Sequence, residues 1–509
     1  MKTIVIDGKN LLLEDMELIA LGAKTKLSAD SKARMNSSQK VVSETMRLGE
    51  TIYGVNTGFG LLSDVAISNK EIEHLQANLL RSHAVGVGPR FEKKTVRAMM
   101  ALRANCLAAG YSGVRPKVAE KLLELLNKRV HPIVPEKGSV GASGDLAPLA
   151  HMALVLIGEG LAEYNGEIFS GAEALARAKI KPLTLGPKEG LALINGTQAS
   201  SAVGVLTLLR AERLCKIADV AGAMTLDALE GTPAPFDPDI WRARPHKGHK
   251  EVGENFLKLL QQSDIREAHA QCKKIQDAYS LRCIPQVHGA VRDALIFART
   301  VLETEINSAT DNPLVFSNDK KIISAGNFHG QPIAYALDFV GIAATGLGTI
   351  SERRIEKIIN PAMSSGLPPF LAKNPGLESG FMIVQVAAAS LVSENKVLAH
   401  PSSVDSIPTS ADKEDHVSMS LTSALKASQI VDNVENILAM ELLVAAEGLE
   451  YRKPLKPGRG AYAAYKLMRK HVKPLLGDRE FWRDVEKIKT LIEDGSMLKA
   501  VEETVGSLK

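Results

Sequence analysis

The tripeptide Ala142-Ser143-Gly144 sits inside the run Ser139-Val140-Gly141-Ala142-Ser143-Gly144-Asp145-Leu146-Ala147-Pro148-Leu149-Ala150-His151 and can make an electrophile of its own backbone. If a tight turn presses the Gly144 nitrogen against the Ala142 carbonyl carbon, ring closure with loss of two waters gives a methylidene-imidazolone, a group no encoded side chain supplies. Ser143 carries the hydroxyl to be eliminated, and Gly144 has no side chain to obstruct its nitrogen or forbid the turn. Ala142 is small enough not to block the attack. Ala-Ser-Gly by itself is an ordinary loop tripeptide, so the longer string has to decide between the two readings.

Three other segments carry chemistry. Thr51-Ile52-Tyr53-Gly54-Val55-Asn56-Thr57-Gly58-Phe59-Gly60 is a glycine-rich loop with one phenol, and its glycines do not follow a strand in a phosphate-binding pattern. A phenol titrates near pH ~10, so Tyr53 can act as a base at neutral pH only where positive potential, such as helix N-termini, favours phenolate. Leu193-Ile194-Asn195-Gly196-Thr197 stands at the mouth of a long helix, where Asn195 or Thr197 suits a cap. In Gln276-Asp277-Ala278-Tyr279-Ser280-Leu281-Arg282-Cys283, residues Gln276, Tyr279 and Arg282 share a face if the segment is helical.

The string Gly138 to Leu149 resembles the signature of the aromatic amino acid ammonia-lyases, and the resemblance runs through most of the chain with its motifs in order. It implies that Ala142, Ser143 and Gly144 form a 4-methylidene-imidazol-5-one autocatalytically, with no separate cofactor, and that Tyr53 is the catalytic base. By the same resemblance Asn195 hydrogen-bonds the active-site assembly. Arg282 clamps the substrate carboxylate through its planar fork, with Gln276 and Tyr279 lining the site. Asn307-Ser308-Ala309-Thr310-Asp311-Asn312-Pro313 and Gly326-Asn327-Phe328-His329-Gly330 resemble further family segments, which sets Phe328 against substrate and ring.

Two segments bear on the substrate. Arg81-Ser82-His83 and Ser410-Ala411-Asp412-Lys413-Glu414-Asp415-His416-Val417-Ser418-Met419 resemble the histidine-acting members, which carry Glu where the phenylalanine-acting ones carry Gln. Buried imidazole nitrogens need polar partners, and His83 with Glu414 would supply them. Lys413 departs from the Gln of the family pattern. The implied reaction is deamination of L-histidine to trans-urocanate and ammonia. A tyrosine-acting lyase, an aminomutase or a non-catalytic helical scaffold are the alternatives. The implied assembly is a homotetramer with active sites shared between subunits.

These residues must be held by helices. Thr3 to Asp7 suggest a strand and Leu11 to Ala23 a helix. Ser68 and Glu71 form a capping box ahead of a helix reaching His83. Further helices are expected from Lys94 to Gly110 and from Pro116 to Arg129. Thr197–Leu229, Pro332–Ile359, Glu378–His400 and Asp415–Leu449 then form long segments free of interior proline. The fold class is mainly α: a long-helix bundle of the fumarase/aspartase-like ammonia-lyase type. The fumarase Gly-Ser-Ser-x-Met-Pro signature itself is absent. Residues 1–190 form an N-terminal portion with the base loop and the Ala-Ser-Gly loop, and 191–509 the long helices, sharing one core. Strand signals are few, among them Leu314-Val315-Phe316.

Composition sets the remaining bounds. The 509 residues, 45% hydrophobic, can bury a large core, and a net charge of +4 with 4% aromatics gives little support to nucleic-acid binding. Cys106, Cys215, Cys272 and Cys283 are scattered without a framework spacing, which suits reduced thiols in the cytoplasm. No signal peptide or uninterrupted apolar span is evident, so no membrane partner is expected. His246 and His249 lie in a cationic loop with Arg242, Arg244, Lys247 and Lys250 and lack a third ligand, so no metal is expected.

Overall fold

The computed structural model describes residues 3–58, 60–62, 64–68, 70–270 and 274–509. It is mainly helical. Ile4–Ile6 pairs in parallel with Thr25–Leu27, and the other strands make small sheets, among them the hairpin of Leu314–Phe316 with Lys321–Ile323. Helices at Leu13–Ala20, Lys93–Ala108 and Pro116–Asn127 match the sequence expectation to within a few residues at their ends. Pro116 occupies the first turn, where a missing N–H costs nothing.

Departures occur where side chains have other partners. The capping box does not form: Ser68 donates its hydroxyl to the Glu71 carboxylate at 2.7 Å, and Glu71, in αR conformation, precedes the Ile72–His83 helix without a side-chain cap. Gln198–Ala228 and Gln331–Ile359 fall close to expectation, whereas Met382–Leu398 and Ser420–Glu450 begin late. Glu378 is held in a turn, its carboxylate accepting from the backbone of Lys373 and Asn374. Ser418 and Met419 bind the Ala-Ser-Gly segment instead of continuing the helix backwards: the Ser418 hydroxyl donates to the Gly141 carbonyl at 2.9 Å and the Met419 N–H to Val140 at 2.8 Å.

Contacts gather the chain into two compact units that do not follow the boundary at residue 190. One comprises Met1–Leu209, Ala298–Asp338 and Pro401–Leu425; the other comprises Arg210–Phe297, Phe339–His400 and Lys426–Lys509. Four of the five divisions fall within helices and the fifth just after one, so the chain returns to each unit rather than finishing one before the other. In the first unit every residue from Val96 to Ala108 is buried, which explains why that helix shows little amphipathic periodicity. In the second, the fully buried Arg354 and Glu441 pair at 2.7 Å, and Asp219 accepts from His288 and Arg292. Among the described residues, two helical stretches, Glu189–Ala228 and Gln331–Ile359, are long and apolar enough to cross a membrane, but 94% and 61% of their most apolar windows are buried inside the protein.

Candidate active site

The Ala142–Gly144 loop is built by its neighbours. Asp145, fully buried, accepts from the Ser139 hydroxyl at 2.9 Å and from the Ser200 N–H and hydroxyl at 2.7 and 2.8 Å. It thereby caps the Gln198–Ala228 helix from a distant point in sequence. Neither expected residue does so. Thr197 donates to Glu305 at 2.6 Å, and the Asn195 amide donates to the Ser143 carbonyl at 2.7 Å. Burial pushes the Asp145 carboxyl above its ordinary range against the pull of these hydrogen bonds. Gly144 has φ +77°, and a Cβ there would run into the backbone of Gly196, so no other residue fits the turn.

Beside this loop opens a cavity of about 730 Å³. Tyr53, His83, Ala142, Ser143, Asn195, Phe328 and Glu414 all line it, so seven of the sequence-derived site residues come together. Four helices begin at this cavity or shortly after its lining: Leu146–Leu156 after Ser143, Gln198–Ala228 after Asn195, Gln331–Ile359 after His329 and Ser420–Glu450 after His416. Gly141 ties two of them together, its carbonyl accepting from Gly330 as well as Ser418. N-terminal partial charges are thus concentrated around the Ser143 loop.

Tyr53 is carried by a turn locked from within. The Asn56 side chain accepts from Ile52 and donates to Glu50, the Thr57 hydroxyl accepts from Gly54, and Val55 packs with Val41, Val42 and Val315. Burial pushes the phenol above its ordinary value, a hydrogen bond from Gly60 opposes this, and the Glu414 charge adds to the rise. Burial lowers His83, against a smaller upward pull from Leu79 and Glu414. Its Nδ1 lies 3.0 Å from the Ser82 hydroxyl. Glu414 holds both ends of its carboxylate: Oε1 accepts from Ser143 at 2.7 Å and Oε2 from Thr409 at 3.0 Å.

An aromatic amino acid lyase model matches residues 11–470. The chain belongs to the aromatic amino acid lyase family. This lyase is similar to the histidine ammonia-lyase of Myxococcus xanthus, 53% identical over 98% of both chains. Among solved structures it is similar to the histidine ammonia-lyase of Trypanosoma cruzi, with TM-score 0.92 and 42% identity over 99% of this chain and 96% of that one. It is also similar to the tyrosine aminomutase of Streptomyces globisporus, with TM-score 0.94 and 39% identity over the full length of both.

Gly144 belongs to the loop itself, and three other expected residues of the lyase do not line this cavity. Gln276, Tyr279 and Arg282 belong to the other compact unit and are not among the lining residues. They are not on one helix face either: Gln276 is in an irregular stretch, and only Tyr279–Arg282 forms a single turn. Tyr279 is 71% exposed, with the Arg282 guanidinium 4.7 Å above its ring. Sequence reasoning gave no role to His329 and His416, whose rings stack at 5.8 Å on the cavity wall. Nothing in their spacing, 87 residues apart, signals the pairing. Lys413 lines the same wall. Phe59 and Cys272 lie outside the described residues. His246 precedes the Lys247–Leu259 helix, and the buried His249 faces Gln286 at 3.3 Å.

Proposed function

We propose that the lyase removes ammonia from L-histidine to give trans-urocanate. The observation that carries this reading is the presence of His83 and Glu414 in the cavity that contains Ser143, since both can partner a buried imidazole. The names of the histidine ammonia-lyases it resembles support the same substrate.

The cofactor in this reading is the methylidene-imidazolone formed from Ala142, Ser143 and Gly144. The residues present fit it: Gly144 leaves no room for a Cβ, Asn195 holds the Ser143 carbonyl, and the Asn195 Oδ1 is buried without a partner among the described residues. The electrophile this ring supplies makes the substrate amino group a better leaving group. Tyr53 accepts the β-proton, and the surrounding helix N-termini favour its phenolate. His83 and Glu414 orient the imidazole, with Phe328 beside it.

Arg282, with Gln276 and Tyr279, binds the substrate carboxylate. In this proposal they come from another copy in a homotetramer, and the high exposure of Tyr279 supports their availability to one. The reading includes a cytoplasmic location, no separate cofactor, and no nucleic-acid or membrane partner. Urocanate formation from histidine, with tyrosine and phenylalanine in parallel, tests it. An aminomutase is the second reading, favoured by the likeness to tyrosine aminomutase, and would yield a β-amino acid instead.

A further inference from the structure

Arg103 has no exposed surface and no carboxylate partner among the described residues, yet it binds the backbone of Asn195, the residue that holds the Ser143 carbonyl. Its Nη1 donates to the Asn195 carbonyl at 3.1 Å, to the Gln198 side chain at 2.7 Å and to the Thr310 carbonyl at 3.3 Å. Nε and Nη2 are buried without partners among the described residues. A second buried cation, Lys188, is near enough for Arg103 to lower its proton affinity, but the adjacent Asp311 is engaged by Lys188 at 2.7 Å. A buried guanidinium with orphaned donors is costly, so what it holds in register matters. It holds Asn195, whose amide donates to the Ser143 carbonyl at 2.7 Å, and it fills the space a Cβ on Gly196 would need, the Gly196 carbonyl accepting from Asp145 at 2.7 Å.

We infer that Arg103 is a positioning residue for cofactor formation, fixing Asn195 so that its amide stabilises charge on the Ser143 carbonyl oxygen; this rests on the cofactor proposed above. In that maturation the Gly144 nitrogen bonds to the Ala142 carbonyl carbon. The carbonyl oxygen leaves as water with the protons of the Gly144 and Ser143 nitrogens. The Ser143 hydroxyl then leaves with the Ser143 Cα proton as the second water, and no oxidant or reductant is needed. Loss of the Cα proton builds negative charge on the Ser143 carbonyl oxygen, where the Asn195 donor already points.

The experiment follows intact mass with time in freshly produced full-length protein. Arg103→Lys, Arg103→Gln, Asn195→Ala and the double variant Arg103→Lys/Asn195→Ala are compared with wild type, and thermal unfolding is read alongside. The two-water mass loss should slow about tenfold or more in Arg103→Gln, and the double variant should lose mass no more slowly than Asn195→Ala, because Arg103 acts through Asn195. If the Arg103 variants do not accumulate folded, Gln198→Met, which removes one of the guanidinium's acceptors, should show a milder slowing. Wild-type rates in every folded Arg103 or Gln198 variant would overturn the inference, as would additive slowing in the double variant. A wild type that never loses two waters would instead overturn the cofactor reading itself.

Discussion

Ser143 donates its hydroxyl to Glu414 at 2.7 Å, so the group eliminated in the proposed maturation is held by the residue proposed to partner the substrate imidazole. Once the hydroxyl has left, that carboxylate oxygen loses its donor. Its other oxygen keeps Thr409. Glu414 is therefore left anchored on one side and free on the side that faces the cavity.

Glu414→Gln should depress histidine turnover by about a hundredfold and relax discrimination against tyrosine and phenylalanine, because the charged partner of the imidazole is lost. His83→Leu should act in the same direction. Steady-state kinetics on the three amino acids measure this, and unchanged histidine kinetics in both variants would rule out the specificity assignment.

Tyr53→Phe should cost at least about a hundredfold in turnover while the two-water mass loss and the oligomeric mass stay as in wild type. The turn around Tyr53 is held mainly by Asn56, Thr57 and Val55, and the phenol adds one hydrogen bond from the Gly60 backbone, so the fold should survive loss of that hydroxyl. Near-normal turnover would move the base to another residue.

The pH profile follows from what surrounds the same phenol. Burial and then the Glu414 charge raise its proton affinity, so the phenolate fraction and the rate should climb toward alkaline pH. Removing the charge in Glu414→Gln should shift the rising limb of kcat/KM toward lower pH. A limb that does not move would separate Tyr53 from the titration.

Ser143→Ala has no hydroxyl to eliminate. It should fold, since one hydroxyl contributes on the order of 1 kcal/mol, but it should lack the Ser143 dehydration by mass and have no turnover. Ser143→Cys should recover part of both, because a thiol also eliminates. An active wild type at its full encoded mass would end the proposal.

Acid should weaken the fold through His131. Burial and then Arg97 push its imidazole down to about 4, whereas in the unfolded chain it takes a proton near pH ~6.5. The unfolded state therefore binds more protons between these values. The contribution of His131 is complete above about pH 6.5 and is lost as pH falls toward about 4. Denaturant midpoints over that range should fall less steeply in His131→Asn than in wild type.

Much of the site was legible because its motifs are contiguous. The Tyr53 loop, the Ala-Ser-Gly string and the Ser410–Met419 segment each read as a unit, and residues of all three line the cavity. Contacts between distant residues were not legible. Asp145 capping at Ser200, Ser418 leaving its helix for Gly141, and Arg103 reaching Asn195 are each decided by packing that no local period records. Helix interiors followed propensity and apolar spacing, whereas the starts at Met382 and Ser420 came late because Glu378 and Ser418 bind backbone outside those helices.

The partners that close on residues 140–145 come from Asn195, Gly330, Glu414, Ser418 and Met419, all of them well downstream in the chain. A nascent chain that has not yet made its later segments has no means of assembling that turn. Under the proposed chemistry the mass of each molecule then becomes a covalent record of whether that molecule ever folded. Misfolded or truncated copies stay heavy and inert. Mass spectrometry of a mixed population would count its folding successes one molecule at a time.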